Sequence, residues 1–273
     1  MSDTFNHPLL QEIGLLARRA GEAIMAVYRE DFDVEVKDDC SPLTAADLAA
    51  QKVIAEGLAL LDPVLPIVSE EASQLPWEQR RQWSRYWLVD PLDGTREFVK
   101  RNGEFTVNIA LIEQGKTVMG VVLAPVTEEL FVAARGYGAW WQVQVDAEWE
   151  RIFTRELGRP PVVAGSRSHG GMAEAVMRRL LGEEYLLQPL GSSLKFCLLA
   201  RGAADVYLRR GPTSEWDTAA AQCVLEEAGG AVLDLTGNAL HYNRGESLIN
   251  PEFLAVGDPG IDWATRMREA GLP

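Results

Sequence analysis

Apolar residues recur at helical spacing from His7 to Tyr28, with Leu9, Leu10, Ile13, Leu16, Ala20, Ile24 and Val27 on one stripe. The pattern predicts an amphipathic helix that buries one face. "DVEVK" then alternates as a short strand, "KDDCSPLT" reads as loop, and Thr44 is placed to cap a second helix, "AADLAAQKVIAEGLALL". Pro63 and Pro66 end that helix and lead into "PIVSEEAS", an apolar strand that runs into Glu70 and Glu71. A polar, Trp-containing connection follows, then the strand "RYWLVD" and the turn "DPLDGT". "FTVNIALIEQGK" and "TVMGVVLAPVTEELFVAARG" read as antiparallel strands joined by hairpins, since their β-branched runs are separated by Gly-containing turns.

From Pro161 the rhythm changes to strands alternating with helices. Strands are expected at "PVVAGS", "EYLLQPLG", "ADVYLRR", "AVLDL" and "EFLAVG", and helices near Met172 to Leu181, Ser193 to Ala200, Glu215 to Ala228 and Asp262 to Ala270. The expected class is α/β, more strictly α+β. Residues 1–150 form a helix pair plus antiparallel sheet, and residues 151–273 an α/β half with a mixed, largely parallel sheet. No repeat, low-complexity stretch or flexible linker separates them, so a rigid interface with a cleft between the halves is expected.

A chain of 273 residues, 47% of them apolar, can bury a large core. No apolar run approaches the roughly 18 residues of a membrane span, and the start lacks a basic region followed by an apolar one. A cytoplasmic location is therefore expected, with peripheral attachment at a bacterial inner membrane left open. Cys40, Cys197 and Cys223 are odd in number and widely spaced, which fits reduced thiols, the last two as core filler. The net charge of −14 argues against a nucleic-acid polymer or an anionic membrane as main partner. A small anion remains compatible, given a local cluster of cationic side chains or metal ions that reverse the local field.

Acidic residues at the ends of apolar elements change the picture most. Glu70 and Glu71 follow "PIVS", Asp90 and Asp93 follow "YWLV", and Asp217 opens "WDTAAAQCVLEEAGG". Each has an ordinary reading alone: "DPLDG" is turn chemistry, the glutamates suit solvent, and Asp217 suits a helix start. Together they read differently. Like charges about 4 Å apart repel by about 4 kcal/mol at an effective dielectric near 20, so carboxylates gathered in one cleft require a cation. Carboxylates plus the Leu92 carbonyl, with no His or Cys beside them, suit Mg²⁺ or Mn²⁺ rather than zinc.

The spacing of "SEEAS", "DPLDGTREF" and "WDTAAAQCVLEEAGG" closely resembles the inositol monophosphatase-like superfamily of Mg²⁺-dependent phosphatases, over nearly the whole chain. "DPLDGTREFVKRNGEFTVNIALIEQGK", "VVAGSRSH" and "GSSLKFCLLARGAADVYLRRGPTSEWDTAA" look most like its bacterial 3'(2'),5'-bisphosphate nucleotidases. The resemblance implies a layered αβαβα sandwich and two or three Mg²⁺, replaceable by Mn²⁺ and inhibited by Ca²⁺ or Li⁺. It implies that Glu70, Asp90 and the Leu92 carbonyl hold one ion, and that Asp90, Asp93 and Asp217 hold a second. A third would hang on Glu70. Thr95 and Asp47 would orient and deprotonate the attacking water, and Lys37 and Glu71 would support the Glu70 side.

Such a site supplies what phosphate-ester hydrolysis needs: an activated water and positive charge on the phosphate and leaving group. The Gly94 and Thr95 amides, at a helix start, would add donors. A nucleotide with two phosphates also needs partners for the one that stays. Candidates are Ser166, Arg167, Ser168 and His169 in "GSRSHGG", Gly191, Ser192, Ser193 and Lys195 in "GSSLK", and Arg209 and Arg210 at the end of "ADVYLRR". Inositol-specific members carry an acid seven positions before the metal-binding aspartate; counting back from Asp217 lands on Arg210, which favours a second phosphate. The expected substrate is therefore adenosine 3',5'-bisphosphate, and with it the sulfated analogue 3'-phosphoadenylyl sulfate. The alternatives are a sugar or polyol phosphate such as inositol phosphate, and a non-catalytic metal- and nucleotide-binding protein. "AWW" at residues 139–141 suits core or a homodimer contact equally.

Overall fold

The structure, a computed structural model, describes residues 4–36, 42–73, 75–165 and 172–272. Helix α1 (Pro8–Tyr28) starts where His7 Nδ1 accepts the Leu10 N–H at 3.2 Å, with Pro8 in the first turn, where a missing donor costs nothing. Strands β1 (Val34–Val36) and β2 (Pro42–Thr44) form a small antiparallel ladder, so the end of the expected loop is a strand. Helix α2 (Ala45–Leu58) follows directly, and α1 and α2 lie together on one face of a sheet.

That sheet has seven strands in chain order: β3 (Ile67–Ser69), β4 (Arg85–Asp93), β5 (Thr106–Glu113), β6 (Lys116–Leu123), β7 (Leu130–Ala134), β8 (Gly138–Gln142) and β9 (Glu150–Ile152). Only β3 and β4 pair in parallel, and the connection between them carries a short helix, α3 (Trp77–Arg80). Helix α4 (Thr95–Val99) follows β4. Val107, Ile109 and Leu111 of β5 face α1 and α2, while Ala110 and Ile112 face the opposite way. Both faces are covered, which is why the strand is apolar throughout.

A second sheet has the order β11 (Leu186–Pro189), β10 (Val162–Gly165), β12 (Val206–Arg209), β14 (Phe253–Val256), β13 (Ala231–Asp234). β10 is parallel to β11 and β12, whereas β14 is antiparallel to β12 and β13. The expected "largely parallel" sheet is thus evenly mixed. The physical reason is the link at 235–252, which holds no crossover helix, and parallel neighbours need a crossover.

Helices α5 (Met172–Leu181) and α8 (Trp263–Glu269) cover the outer face of this second sheet. Helices α6 (Leu194–Ala200) and α7 (Glu215–Glu227) fill the space between the sheets, completing an αβαβα sandwich. The middle layer is thin because α7 is built from small residues, Ala219, Ala220 and Ala221, all buried. Gly120 of β6 lies so close beneath it that an added Cβ would collide with the Ala220 carbonyl oxygen and come within 2.8 Å of Cys223 Cβ. Cys197 and Cys223 are free, buried thiols in this layer, and Cys40 lies outside the described residues. No helix among the described residues is long and apolar enough to cross a membrane.

Candidate metal centre and active site

Strand β4 does not stop at Asp90. It continues through Pro91 to Asp93, with Asp90 opposite Asn108 and Asp93 opposite Thr106, so three steps on β4 match two on β5. One extra residue makes a bulge, the place where a strand tolerates proline. In a regular strand, positions three apart point to opposite faces; the extra residue brings both aspartates to one side. Asp90 Oδ1 accepts the Leu92 N–H at 3.0 Å across the bulge.

Each of Glu70, Asp90 and Asp217 offers a carboxylate oxygen, and these oxygens lie within 4.8 Å of one another. Three remote segments converge here: the end of β3, the bulge of β4 and the first turn of α7. Asp217 Oδ2 accepts the Ser214 N–H at 3.0 Å, which fixes the helix start and the side chain together. Burial pushes the Asp90 carboxyl well above the usual carboxylate range, and the charges of Glu70, Asp93 and Asp217 push it further. Burial does the same to Asp217, reinforced by Asp93. Asp93 stands beside the triplet, with Oδ2 accepting the Ser193 N–H at 2.6 Å and the Thr106 hydroxyl at 3.4 Å. Burial raises it to about 6 against the pull of Lys195. Glu71 is half-buried and outside the triplet. A partly enclosed cluster of hard oxygens, in which Asp90 and Asp217 are driven toward protonation, fits a hard divalent cation, whose charge would hold it ionised.

Thr95 Oγ1 donates to Asp47 Oδ1 at 3.2 Å and lies 3.4 Å from the Leu92 carbonyl oxygen. Asp47 is 1% exposed, and its Oδ2 accepts the Thr44 N–H at 2.8 Å and the Thr44 hydroxyl at 2.7 Å. The same carboxylate therefore caps α2 and holds the threonine at the start of α4. Gly94 has φ +97°, and a Cβ there would meet the Glu104 carbonyl oxygen at 3.2 Å, so the turn into α4 requires glycine.

A cleft of about 550 Å³ opens beside these carboxylates, between the α4 side of the first sheet and the α6 and β12 side of the second. Gly191 lines it; a Cβ there would reach 2.7 Å from the Glu104 carbonyl oxygen, and its N–H donates to Glu104 Oε2 at 2.8 Å. Ser192 takes a left-handed backbone at φ +45°, and Lys195 Nζ donates to the Ser192 carbonyl at 2.7 Å and the Leu190 carbonyl at 3.3 Å. Lys195 is 5% exposed with Nζ 5.1 Å from the Tyr207 ring centre. Burial lowers it to about 8, with Asp93 opposing. Its first task is to brace the loop that delivers Ser193 to Asp93.

Of the two arginines that end this strand, Arg210 is not among the residues lining the cleft. Arg210 pairs with Glu252 at 3.3 Å, whereas Arg209, which with Tyr207 points to the other side of β12, lines the cleft. Strand alternation from Tyr207 was the available signal. Arg209 Nε and Nη2 donate to the Gly211 and Pro212 carbonyls at 3.1 and 2.9 Å, which aims the side chain. Arg96 and Lys100 of the α4 side, which the sequence left unassigned, line the cleft too. Lys37, Ser166, Arg167, Ser168 and His169 lie outside the described residues.

The five layers, and acidic side chains brought together from the ends of β3 and β4 and the start of α7, define one class. Residues 6–260 match the inositol monophosphatase family, and the chain belongs to it. Among curated proteins it is 50% identical over 247 residues to the 3'(2'),5'-bisphosphate nucleotidase CysQ of Salmonella typhimurium, covering 90% of this chain and 98% of that one. It is 36% identical over 261 residues to the enzyme of the same name from Haemophilus influenzae, covering 95% and 97%. Among solved structures, CysQ of Bacteroides thetaiotaomicron superposes with a TM-score of 0.77 at 36% identity, covering 92% of this chain and 99% of that one. An IMPase of Thermotoga maritima gives 0.78 at 25% identity, covering 97% and 98%.

Proposed function

We propose that this chain is a Mg²⁺-dependent 3'(2'),5'-bisphosphate nucleotidase that hydrolyses the 3'-phosphate of adenosine 3',5'-bisphosphate to AMP and phosphate. It would treat the 3'-phosphate of 3'-phosphoadenylyl sulfate in the same way. The observation that carries the reading is the convergence of Glu70, Asp90 and Asp217 beside the pair made by buried Asp47 and half-buried Thr95. Glu70, Asp90, the Leu92 carbonyl, Asp93 and Asp217 would hold two or three ions, which supply positive charge for the phosphate oxygens and the leaving group. Asp47, already accepting from Thr95, is placed to receive the proton that Thr95 takes from water, and its burial keeps bulk solvent from competing.

Substrate choice follows from charge. In a chain of net charge −14, Arg209, Arg96 and Lys100 gather around the cleft and answer a phosphate that is not hydrolysed. The 50% identity to a curated nucleotidase over most of both chains supports the same choice. Phosphate release with Mg²⁺, compared on adenosine 3',5'-bisphosphate, inositol 1-phosphate and fructose 1,6-bisphosphate, tests it. The nucleotide should have the highest kcat/KM, and Arg209→Met should raise its KM by about tenfold or more, with Arg210→Met close to the parent. A preference for inositol 1-phosphate overturns the nucleotide reading.

A further inference from the structure

Arginine is almost never fully buried without partners, yet Arg80 of α3 is 2% exposed. Its Nε donates to the Leu75 carbonyl at 2.9 Å, Nη1 to Asn243 Oδ1 at 2.7 Å and Nη2 to the Glu246 carbonyl at 2.8 Å. Asn243 returns the contact, its Nδ2 donating to the Arg80 carbonyl at 2.9 Å. Three acceptors from three separate chain positions meet one planar fork, a geometry the single ammonium of lysine cannot reproduce.

The contact continues to α7. Asn243 has φ +53°, and its N–H is shared between the two carboxylate oxygens of Glu215, at 2.8 and 2.9 Å. Glu215 is 4% exposed, and its own N–H donates to the Leu248 carbonyl at 2.8 Å. Asn250 Nδ2 donates to the Ser214 carbonyl at 2.7 Å and to Thr218 Oγ1 at 3.1 Å. The segment from Asn243 to Asn250 thus wraps the turn that presents Asp217. Arg80 itself stands in the connection between β3 and β4, whose ends carry Glu70 and Asp90. One guanidinium joins the stretch between two carboxylates to the loop that fixes the third.

We infer that Arg80 is a positioning residue of the metal centre, acting through Asn243 and Glu215 to hold the first turn of α7, and so the Asp217 carboxylate, against Glu70 and Asp90. This rests on the reading of those three carboxylates as metal ligands. Three carboxylates do not approach one another unaided, and the brace supplies the outside constraint: it fixes Asp217 before a cation arrives, so that binding does not have to order the turn.

The test is Mg²⁺ titrated into the metal-stripped full-length protein, followed by calorimetry and by the rise of Tm with Mg²⁺ concentration. Arg80→Lys keeps the charge and loses the fork, and Asn243→Gly keeps the left-handed backbone and loses the side chain. Each should weaken Mg²⁺ binding by about tenfold, the lower end for residues that orient a ligand, and the double variant should be no worse than the more affected single one. Asn243→Gly answers the question by itself if Arg80→Lys does not fold. Asp205→Asn, at a bidentate pair with Arg155 at the start of β12, is the control for lost stability; it should lower Tm and leave Mg²⁺ affinity unchanged. A Mg²⁺ dissociation constant within about a factor of two of the parent in both single variants, with Tm lowered as in the control, overturns the inference. Mg²⁺ binding that survives Asp217→Ala overturns the metal-ligand reading itself.

Discussion

Asp217→Asn isolates the electrostatic cost of gathering three carboxylates. With oxygens within 4.8 Å of one another, each ionised pair repels by about 3.5 kcal/mol at an effective dielectric of 20, and the three pairs together by about 10 kcal/mol. That matches the whole stability of an ordinary domain, about 5–15 kcal/mol, so the metal-free protein must keep protons on the cluster, as the raised Asp90 and Asp217 carboxyls indicate. Asparagine is nearly isosteric, its carbonyl still accepts the Ser214 N–H, and two of the three repulsive pairs disappear. Metal-free Asp217→Asn should therefore melt at or above the parent's Tm. Mg²⁺ at about a hundred times its dissociation constant should add about 2.7 kcal/mol to the parent, which for a chain of this length is about 5 °C.

The variant should lose nearly all of that response. The pH dependence carries the same signature. Asp93 is raised in the folded state from its ordinary 3.8 to about 6. Its contribution is fully present below the lower value and is lost as pH rises through the upper one. The metal-free parent should lose stability over that window, and Mg²⁺ should flatten the curve. Thermal melts with and without chelator measure both effects. A variant that keeps the parent's Mg²⁺ response, or a parent with none, refutes the reasoning.

Asp47→Asn removes the charge that accepts from Thr95 and should lower kcat by about 100-fold or more with little change in KM; activity within about tenfold of the parent, measured by phosphate release, would place the proton acceptor elsewhere. Asp205 is 1% exposed, and burial alone would raise its carboxyl. The Arg155 fork and the Val162 and Gly158 N–H groups outweigh burial and hold it below the ordinary range. Asp205→Asn should cost about 2–4 kcal/mol at neutral pH. Because the folded value is depressed, the parent's advantage exists above the ordinary carboxylate range and shrinks as pH falls through the folded value, so melts from pH 7 to 3 should show the gap closing. A gap independent of pH would mean that packing, not charge, supplies it.

The long periodic elements were legible because their apolar positions answer to one partner surface each: the stripe of α1 and the β-branched runs of β5 and β6 leave little choice. Glu70, Asp90 and Asp217 were legible because each stands at the edge of an apolar element, the first two where a strand ends and the third where a helix begins. Two features escaped for a common reason, the parity of a strand. "DPLDG" looked like a terminating turn, yet the chain keeps its ladder by adding a residue, and counting back to Arg210 ignored that Tyr207 and Arg209 share a face. The loop around Asn243 and the burial of Arg80 have no periodic signature at all. Two of the partners of Arg80, the Asn243 side chain and the Glu246 carbonyl, lie more than 160 residues away along the chain, where only the fold brings them into reach.

The alanine face of α7 has a consequence for how this centre could be retuned. Asp217 rides on a helix seated directly on Gly120, with no side chain between to absorb a change in thickness. Adding one methyl group deep in the interior would lift the helix and carry its carboxylate away from the two that stay on the first sheet. The spacing of the three carboxylates is therefore gauged from inside the protein, by the two smallest amino acids, at positions that do not line the cleft.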